Sequence, residues 1–505
     1  MTAVPETPPR TLPFAGSPEG LEELRILCVL ALDVISEVRH SRSGPGPAGG
    51  HRAVAESARE LMAGPLLPEP GGAPRDVLAG LTRAFATGSV DLTHPAALAR
   101  MQPPPLAVAA AAELVVAILN QSLHAWESGP FALEAERFVT TELAALIGYG
   151  PDGGGTLTSG GSVSNLMAMT MARDSVLAHR LGHPTGREGV AGLRRRPVVL
   201  AQEAIHFSIG RALRVLGIGE EQLIPVAVDA GGRTSADDAR RVLSGLPGTD
   251  LPVALVALAG STDLGVVDRL HELAEVAREH GLWLHADAAY GAGALFSDRL
   301  RPLLDGLSEA DSVTLDLHKF GWLPSSSAML LVRSRTHLRD SFGLAPTTCL
   351  TSEDDTEEGY HGLQDESLQT TRRSDAFKIL VALRCLGRER LGAMVDACHD
   401  LAVHAAARIR EEPRLELVAH PPLGAVLFRY LTGDPGRADE VNGAARRELM
   451  ATGRALLART HLTDEAGDRR VYLKLLFLNP ETPPEQVDEV LAMFLATARR
   501  IEAEG

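Results

Sequence analysis

A lysine preceded by a histidine stands just after the end of a predicted strand. Two apolar stretches, residues 312–317 and 327–332, flank a turn with glycine and proline, and His318 and Lys319 begin that turn. An unpaired ammonium group is costly to remove from water, whereas a lysine covalently linked to a carbonyl cofactor avoids much of that cost and gains chemistry. The position therefore favours a lysine that forms an imine with a cofactor.

A carboxylate is predicted at the end of a second strand. The apolar residues 282–284 lead into the sequence HADAAY at 285–290, which contains Asp287 and Ala289. An acidic side chain at this place can hold a ring nitrogen while a flat cofactor lies against the small Ala289. Pyridoxal 5'-phosphate (PLP) requires such a carboxylate, an imine-forming lysine and flat or small groups on both ring faces. The two strand ends together indicate PLP.

A turn rich in glycine and serine precedes a helix-like stretch upstream of both motifs. Residues 156–165 read TLTSGGSVSN, and backbone N–H groups at Gly161, Ser162 and Val163 can approach an anion at a helix start, where the helix dipole favours negative charge. Ser162 and Ser164 can add hydroxyl donors. Because serine is also a common helix N-cap, the turn indicates a phosphate site only beside the other two motifs.

These motifs occur with SLQTTRRSDAFK at 367–378 in the order found in a known family. HADAAY, LHK and the glycine-rich turn resemble the group II PLP-dependent amino acid decarboxylases, which include aromatic-amino-acid, glutamate and diaminobutyrate decarboxylases. The resemblance covers about residues 94–480. It implies an α/β fold of fold type I, in which helices cover a mostly parallel seven-stranded sheet, with a smaller C-terminal α/β domain and an N-terminal helical segment.

The order of predicted elements agrees with this architecture. Strand-like and helix-like stretches alternate in the middle of the chain, which is typical of a largely parallel sheet. We expect an N-terminal helical segment at 1–95, a large PLP-binding domain at 96–373 and a small domain at 374–505. The resemblance also implies that Trp126 lies near the active site, although a core position would explain this tryptophan equally well.

The resemblance assigns further residues to the cofactor. It implies that His206, in the sequence EAIHFS, stacks on the cofactor ring, that Thr262 provides a small hydroxyl near it and that His318 contacts the phosphate. Thr371 lies in a segment that reaches across a dimer interface in the family and can complete the phosphate site of the second chain. A structural turn with surface arginines is the alternative for the Thr371 segment.

Composition restricts the partners. The formal net charge of −16 argues against nucleic acid or an anionic membrane surface. The four cysteines lack CxxC spacing, and we predict no metal site and a reducing cytoplasm. We also expect no signal peptide and no membrane-spanning stretch. The expectation is a cytoplasmic homodimer whose partner is a small amino acid substrate.

The resemblance implies chemistry at the α-carbon of an L-amino acid. The substrate displaces Lys319 to form an external aldimine, carbon dioxide leaves, and the quinonoid is stabilised by a pyridinium that Asp287 keeps protonated. Reprotonation then releases an amine. Aminotransferase chemistry and a non-catalytic PLP-binding homologue stay open, although the decarboxylase motifs and the intact Lys319, Asp287 and His206 disfavour them. No residue identifies the substrate side chain.

One segment departs from the family pattern. Residues 342–367 resemble the loop that closes over the substrate, in which many relatives carry a tyrosine before a leucine as the proton donor to the α-carbon. Here Cys349 precedes Leu350, and a thiol is shorter than a phenol, although Tyr360 or His361 could replace it. Simple decarboxylation to an amine is expected. The alternative is oxidative deamination to an aldehyde with ammonia and peroxide, because related aldehyde synthases lack the same tyrosine.

Overall fold

The computed structural model describes residues 12–343, 353–463 and 467–504. The α-helices, labelled α1 to α15 in chain order, are Pro18–His40, Gly50–Leu61, Pro74–Gly88, Ala107–Leu119, Pro130–Ile147, Gly161–Leu181, Thr185–Glu188, Ser208–Val215, Ala236–Gly245, Leu270–His280, Thr336–Phe342, Glu353–Glu357, Ala376–Glu411, Ala438–Ala451 and Pro484–Glu504. The strands, labelled β1 to β12, are Ala97–Leu98, Gly154–Thr158, Arg196–Gln202, Leu223–Val226, Asp250–Leu258, Trp283–Asp287, Ser312–Asp316, Ala328–Val332, Leu415–Leu417, Ala425–Tyr430, Leu456–Thr463 and Arg469–Leu476.

Seven strands form the larger sheet, in the order β2-β8-β7-β6-β5-β3-β4. Strand β8 is antiparallel to both of its neighbours, and the other neighbouring pairs are parallel. The central strands of this sheet are buried along almost their whole length, as strands covered on both faces are, and they carry buried polar side chains such as His285 and Thr314 among the apolar ones. The mostly parallel seven-stranded sheet that the resemblance implied is therefore confirmed.

Helices cover both faces of this sheet. Along β5, Leu255 and Ala257 belong to the core shared with α5, α9 and α10, whereas Ala254 and Val256 belong to the core shared with α6 and α8. Neighbouring side chains of a strand point to opposite faces, so a single strand supplies both cores. The sheet is thereby fixed between two helical layers, and its carboxyl edge is held in place for a site.

The smaller sheet has the order β1-β11-β12-β10-β9 and packs against α14 and α15. Helix α13 joins the two units and bends at Gly387, whose φ of 64° favours glycine. Before the bend Ile379 contributes to the core of the large sheet, and after it Ala405 contributes to the core of the small sheet. Strand β1 pairs with β11, and the segment boundaries proposed from the sequence stay predictions.

The N-terminal helices α1 and α3 pack against each other and leave large apolar side chains uncovered in the single chain. Leu32 on α1 and Phe85 on α3 are both exposed. Large apolar side chains that are exposed in a single chain can mark a contact surface. No helix in the described part of the chain combines the length and apolar content that a membrane crossing requires.

Candidate active site

The carboxyl ends of β5, β6 and β7 border a cavity of about 340 Å³. Ligands of open α/β sheets bind at this edge, where strand ends and helix N-termini meet. The residues that line the cavity are Ser159, Gly160, Gly161, Ser162, Val163, Asn165, His206, Leu258, Gly260, Thr262, Asp287, Ala289, Tyr290, Asp316, His318 and Lys319. The structure thus brings together every residue predicted to bind the cofactor except Thr371.

Lys319 follows β7 in a tight turn and reaches the cavity. Its Nζ lies 3.2 Å from Oδ2 of Asp316, and Nε2 of His318 lies 3.5 Å from the same oxygen. Burial lowers the pKa of His318 below its ordinary value, although Asp316 opposes this effect. The lysine therefore sits against a buried carboxylate and beside a neutral imidazole.

Asp316 was not predicted from the sequence. It is the last residue of β7, its side chain is buried, and its Oδ1 has no hydrogen-bond partner among the described residues. The usable signal was its place at the end of the strand, three residues before the lysine. Asp287 already provided the single carboxylate that a PLP ring nitrogen requires, so no second carboxylate was expected.

Asp287 ends β6, and neutral groups hold both of its oxygens. Nδ2 of Asn165 donates to Oδ2 at 2.8 Å, and the backbone N–H of Ala289 donates to Oδ1 at 3.2 Å. The carboxylate is nearly fully buried, and neutral donors keep its negative charge uncompensated within these contacts. The site therefore offers a fixed anion to a cationic group in the cavity.

His206 lies between β3 and α8 and also borders the cavity. The backbone N–H of Ser208 donates to its Nδ1 at 3.3 Å, and the Ser208 hydroxyl lies 2.7 Å from the same nitrogen. Because a backbone N–H can only donate, Nδ1 is the acceptor and Nε2 carries the proton of the neutral ring. Burial lowers the pKa of His206, with Asp287 opposing, so the ring is neutral near pH 7.

The glycine-rich turn forms the start of α6. A Cβ on Gly161 would lie 3.1 Å from Oδ2 of Asp316, closer than most side chains tolerate, so glycine allows this carboxylate to approach the start of the helix. Ser162 and Val163 continue the lining. Ser164 is buried, and its hydroxyl is bonded within the protein instead of facing the cavity.

Thr262 lies on the loop after β5, and the small sheet holds this loop. Nζ of Lys474 donates to the carbonyl oxygen of Thr262 at 3.0 Å and pairs with Oδ1 of Asp263 at 2.8 Å. Oγ1 of Thr460 donates to the other Asp263 oxygen at 2.8 Å. No sequence pattern indicated this contact of Lys474, which is more than 200 residues from the loop.

Lysine is rare in this chain. The sequence has three lysines, Lys319, Lys378 and Lys474, among 49 lysine and arginine residues. Lys378 is fully buried and pairs with Glu113 and, at 3.0 Å, with Asp375. None of the three side chains is more than 20% exposed. All three lysine side chains are therefore largely enclosed by the protein.

Thr371 is exposed in the single chain and takes no part in the cavity lining. The next residue, Arg372, is not a surface arginine: its Nη1 lies 2.6 Å from Oε1 of Glu136 and donates to the carbonyl oxygen of Leu157 at 3.2 Å. This buried ion pair ties the segment to α5 and β2.

Of the loop residues considered as proton donors, Cys349 lies outside the described residues. Tyr360 packs edge-on against Trp126, with ring centroids 5.0 Å apart, and is half exposed. Neither Tyr360 nor His361 lines the cavity of its own chain. Trp126 is partly exposed, so it is not a core residue.

The arrangement fits PLP. A lysine and a carboxylate reach one cavity from the ends of two neighbouring parallel strands, and the start of a helix, where a phosphate can bind, lines the same cavity. A small side chain, Ala289, and an imidazole, His206, are available for the two faces of a flat ring. Fold and site together define a fold-type I PLP enzyme.

Comparisons with known proteins specify the family. A family model described as "Pyridoxal-dependent decarboxylase conserved domain" matches residues 72–431. The chain is 38% identical to the L-2,4-diaminobutyrate decarboxylase of Rhizobium meliloti (strain 1021), over 86% of this chain and 84% of the relative. It is 32% identical to the L-2,4-diaminobutyrate decarboxylase of Acinetobacter baumannii, over 83% and 82% of the two chains.

A solved structure is similar over almost the whole chain. It is the glutamate decarboxylase domain of a diaminobutyrate-pyruvate transaminase and L-2,4-diaminobutyrate decarboxylase from Vibrio parahaemolyticus, with a TM-score of 0.85, 25% identity and coverage of 96% of this chain and 98% of that chain. The chain therefore belongs to the PLP-dependent decarboxylase family and is a PLP-dependent carboxy-lyase. Family, fold type, enzyme class and cofactor, all expected from the sequence motifs, are confirmed.

Proposed function

We propose that the protein removes the α-carboxyl group of an L-amino acid and releases carbon dioxide and an amine, acting as a homodimer in the cytoplasm. The observation that carries this proposal is the meeting of Lys319, Asp287 and His206 at one cavity in a chain of the decarboxylase family. The reaction type follows from the family, and the residue roles are those that the family resemblance implies, supported by their meeting at one cavity.

In this proposal the cavity residues bind the cofactor as follows. Lys319 binds the cofactor covalently, Asp287 holds the ring nitrogen, and Ala289 and His206 lie on the two ring faces. The residues that bind the phosphate are Gly161, Ser162, Val163 and His318, with Thr262 near the ring. Bound PLP supplies an acceptor for the electron pair left on the α-carbon.

The protein's own groups then control protons and water. The neutral His206 keeps its proton on Nε2 and can donate it in a hydrogen bond to the substrate carboxylate, which orients the bond to be broken. Asp287 accepts from Asn165 and Ala289, so its negative charge stabilises a protonated ring nitrogen. Burial of both side chains strengthens these interactions.

For the substrate we propose L-2,4-diaminobutyrate as the first candidate, because two curated relatives carry that activity in their names. The test is a panel of this compound, aromatic amino acids and acidic amino acids, supplied to the PLP-loaded enzyme. Carbon dioxide and amine in equal amounts from one substrate, lost in Lys319→Ala, are expected. Carbon dioxide from no member of the panel would contradict the proposed reaction.

An oxidative product is the second candidate, because Cys349 stands before Leu350 where many relatives carry tyrosine. Its balance is amino acid, dioxygen and water giving aldehyde, carbon dioxide, ammonia and hydrogen peroxide. Tyr360 and His361 lie outside the cavity lining of their own chain, so neither supplies an obvious substitute donor there. Amine, aldehyde and peroxide should be measured together for the wild type and Cys349→Tyr. Only amine from both proteins would remove the oxidative candidate.

The homodimer is supported by the exposed apolar side chains of α1 and α3 and by the exposed Thr371. We propose that Thr371 of one protomer completes the phosphate site of the other. Sedimentation and activity should be measured across one dilution series, and the activity should fall as the dimers dissociate. Thr371→Ala should weaken PLP binding without changing the fraction of dimer. A fully active monomer would contradict both points.

A further inference from the structure

Asn165, on the first turns of α6, makes four polar side-chain contacts beneath the cavity. Its Oδ1 accepts from Oγ1 of Thr314 at 2.8 Å and lies 3.1 Å from Nε2 of His285. Its Nδ2 donates to Oδ2 of Asp287 at 2.8 Å and to Oγ of Ser208 at 2.9 Å. A side-chain amide has two donor hydrogens and two acceptor lone pairs, so each one is used.

The orientation of this amide is fixed. If it were turned over, its oxygen would face the carboxylate of Asp287, and two acceptors would then be buried against each other. Asn165 is 1% exposed, so water cannot replace the lost donor. The amide therefore has a single stable arrangement, in which both donor hydrogens point towards Asp287 and Ser208.

A directed chain of hydrogen bonds leads into the amide along the face of the sheet that α6 covers. Nε1 of Trp283, which can only donate, donates to Oγ of Ser312 at 2.8 Å. The Ser312 hydroxyl then donates to Nδ1 of His285 at 2.9 Å, which leaves the proton of that ring on Nε2, facing Asn165. Each donor in the chain points towards Asp287, and hydrogen bonds aligned in this way strengthen one another.

The second hydrogen of the amide leads to the other side of the cavity. It is donated to Oγ of Ser208, whose hydroxyl hydrogen is then directed to Nδ1 of His206 at 2.7 Å. The same amide thus contacts Asp287 directly and reaches His206 through one hydroxyl, at the ring nitrogen that also accepts from the backbone N–H of Ser208. No other described residue bonds to Asp287 and also, through one hydroxyl, to His206.

We propose that Asn165 is the positioning residue that couples Asp287 to His206, so that the carboxylate and the imidazole around the cofactor are set by one amide. The inference rests on the proposed function for its purpose, but its consequences can be measured without turnover. It assigns Ser312 and Ser208 as the two branches through which the coupling runs.

The first test is equilibrium dialysis of holoenzyme variants against PLP. Asn165→Ala removes a hydrogen bond to a charged group, and we expect the Kd for PLP to rise by about 10- to 100-fold. Thr170→Val is the matched control, because Thr170 is a buried polar residue of the same helix whose hydroxyl donates to the carbonyl oxygen of Leu166, away from the site. An unchanged Kd in Asn165→Ala would overturn the proposal.

The second test separates coupling from a merely structural role. Ser312→Ala should raise the Kd in the wild-type background and have no further effect in Asn165→Ala, whereas independent effects would multiply. Histidine ¹⁵N chemical shifts of the cofactor-free protein should report a weaker hydrogen bond at Nδ1 of His206 in Asn165→Ala and Ser208→Ala, with the proton still on Nε2 because the backbone N–H of residue 208 remains. Multiplying effects together with unchanged shifts would overturn the proposal.

Two outcomes have separate meanings. If Asn165→Ala does not fold, Asn165→Asp takes its place: it keeps the shape of the side chain but puts an oxygen against Asp287, and PLP binding should weaken as the pH rises. Binding as tight as in the wild type at every pH would then count against the proposal. If PLP binding and histidine shifts follow the expectation while no amino acid is decarboxylated, the proposed function fails and the coupling stands.

Discussion

Two carboxylates end neighbouring parallel strands and reach the same cavity, yet their surroundings differ. Asp287 and Asp316 are both 6% exposed. Neutral donors from Asn165 and Ala289 hold Asp287, whereas Asp316 lies 3.2 Å from the ammonium group of Lys319. One oxygen of Asp316 has no hydrogen-bond partner among the described residues.

The difference indicates which carboxylate serves an external cation. A carboxylate held by neutral groups keeps its negative charge for whatever binds beside it, while a carboxylate paired with an ammonium group is already neutralised inside the protein. We therefore propose that Asp287 binds a positive ring nitrogen of the cofactor. Asp316 is a counter-ion, and its pairing must change whenever Lys319 becomes engaged.

The largest expected effect comes from Asp287→Asn. The change keeps the size of the side chain and removes the charge that stabilises a protonated ring nitrogen, so kcat should fall by about 100-fold or more, where each tenfold corresponds to about 1.4 kcal/mol. Steady-state decarboxylation by the PLP-loaded variant measures the loss, with Thr170→Val as the reference. Turnover close to that of the wild type, with cofactor bound, would show that the charge of Asp287 is not required and that the two carboxylates do not differ in this respect.

Asp316→Asn should have a smaller effect. It replaces a charge-assisted contact to Lys319 with a neutral one, a difference of about 1 kcal/mol, so we expect kcat/KM to fall by about five- to tenfold. The rate at which the cofactor-free enzyme recovers activity on adding PLP should change as well. A loss equal to that of Asp287→Asn would show that the two carboxylates share one role.

Stability towards acid should depend on His285, behind Asp287. Burial lowers the pKa of His285 to about 4, whereas an exposed histidine titrates near 6.5. Between these values the unfolded chain binds a proton that the folded chain does not, so the free energy of unfolding falls with falling pH by up to about 1.4 kcal/mol per pH unit and is fully retained above about pH 6.5. Urea midpoints for wild type and His285→Gln at pH 5, 6 and 7 should show a shallower decline in the variant.

The smallest expected effect lies at the edge of the cavity that the small sheet holds. Lys474→Met removes the contacts to Thr262 and Asp263, but Asp263 is partly exposed and the loop keeps its own backbone hydrogen bonds. The Kd for PLP should rise by at most about fivefold. Lys474→Arg is the control that keeps the charge. A rise in the Kd for PLP as large as that in Asn165→Ala would show that the contacts of Lys474 contribute as much to cofactor binding as Asn165 does.

Local sequence was sufficient for the parts of the site that lie next to a strand end. Lys319 and Asp287 were predicted because apolar stretches fix where their strands stop, and His206 and Thr262 followed from the family resemblance. The largely parallel sheet was predicted from the alternation of strand-like and helix-like stretches, and its seven strands followed from the family resemblance. The order of the motifs along the chain then predicted that these residues meet at one cavity.

The remaining parts depend on contacts that periodicity does not encode. Asn165 belonged to a predicted motif, yet its role arises from β6 and β7, which are more than 100 residues away. Lys474 and the buried Arg372 likewise acquire their partners only when distant segments pack. Thr371 is a prediction of another kind, because its expected partner is a second chain.

The enclosure of the three lysines has a practical and a chemical consequence. Every other basic side chain is a guanidinium or an imidazole, and a guanidinium does not condense with aldehydes as a free amine does. The protein surface therefore offers few lysine amines to the pyridoxal compounds, activated esters and aldehyde fixatives that modify lysine-rich surfaces. Reduction with borohydride in excess PLP should label one lysine per chain, Lys319, with the α-amino group of the chain as the expected background.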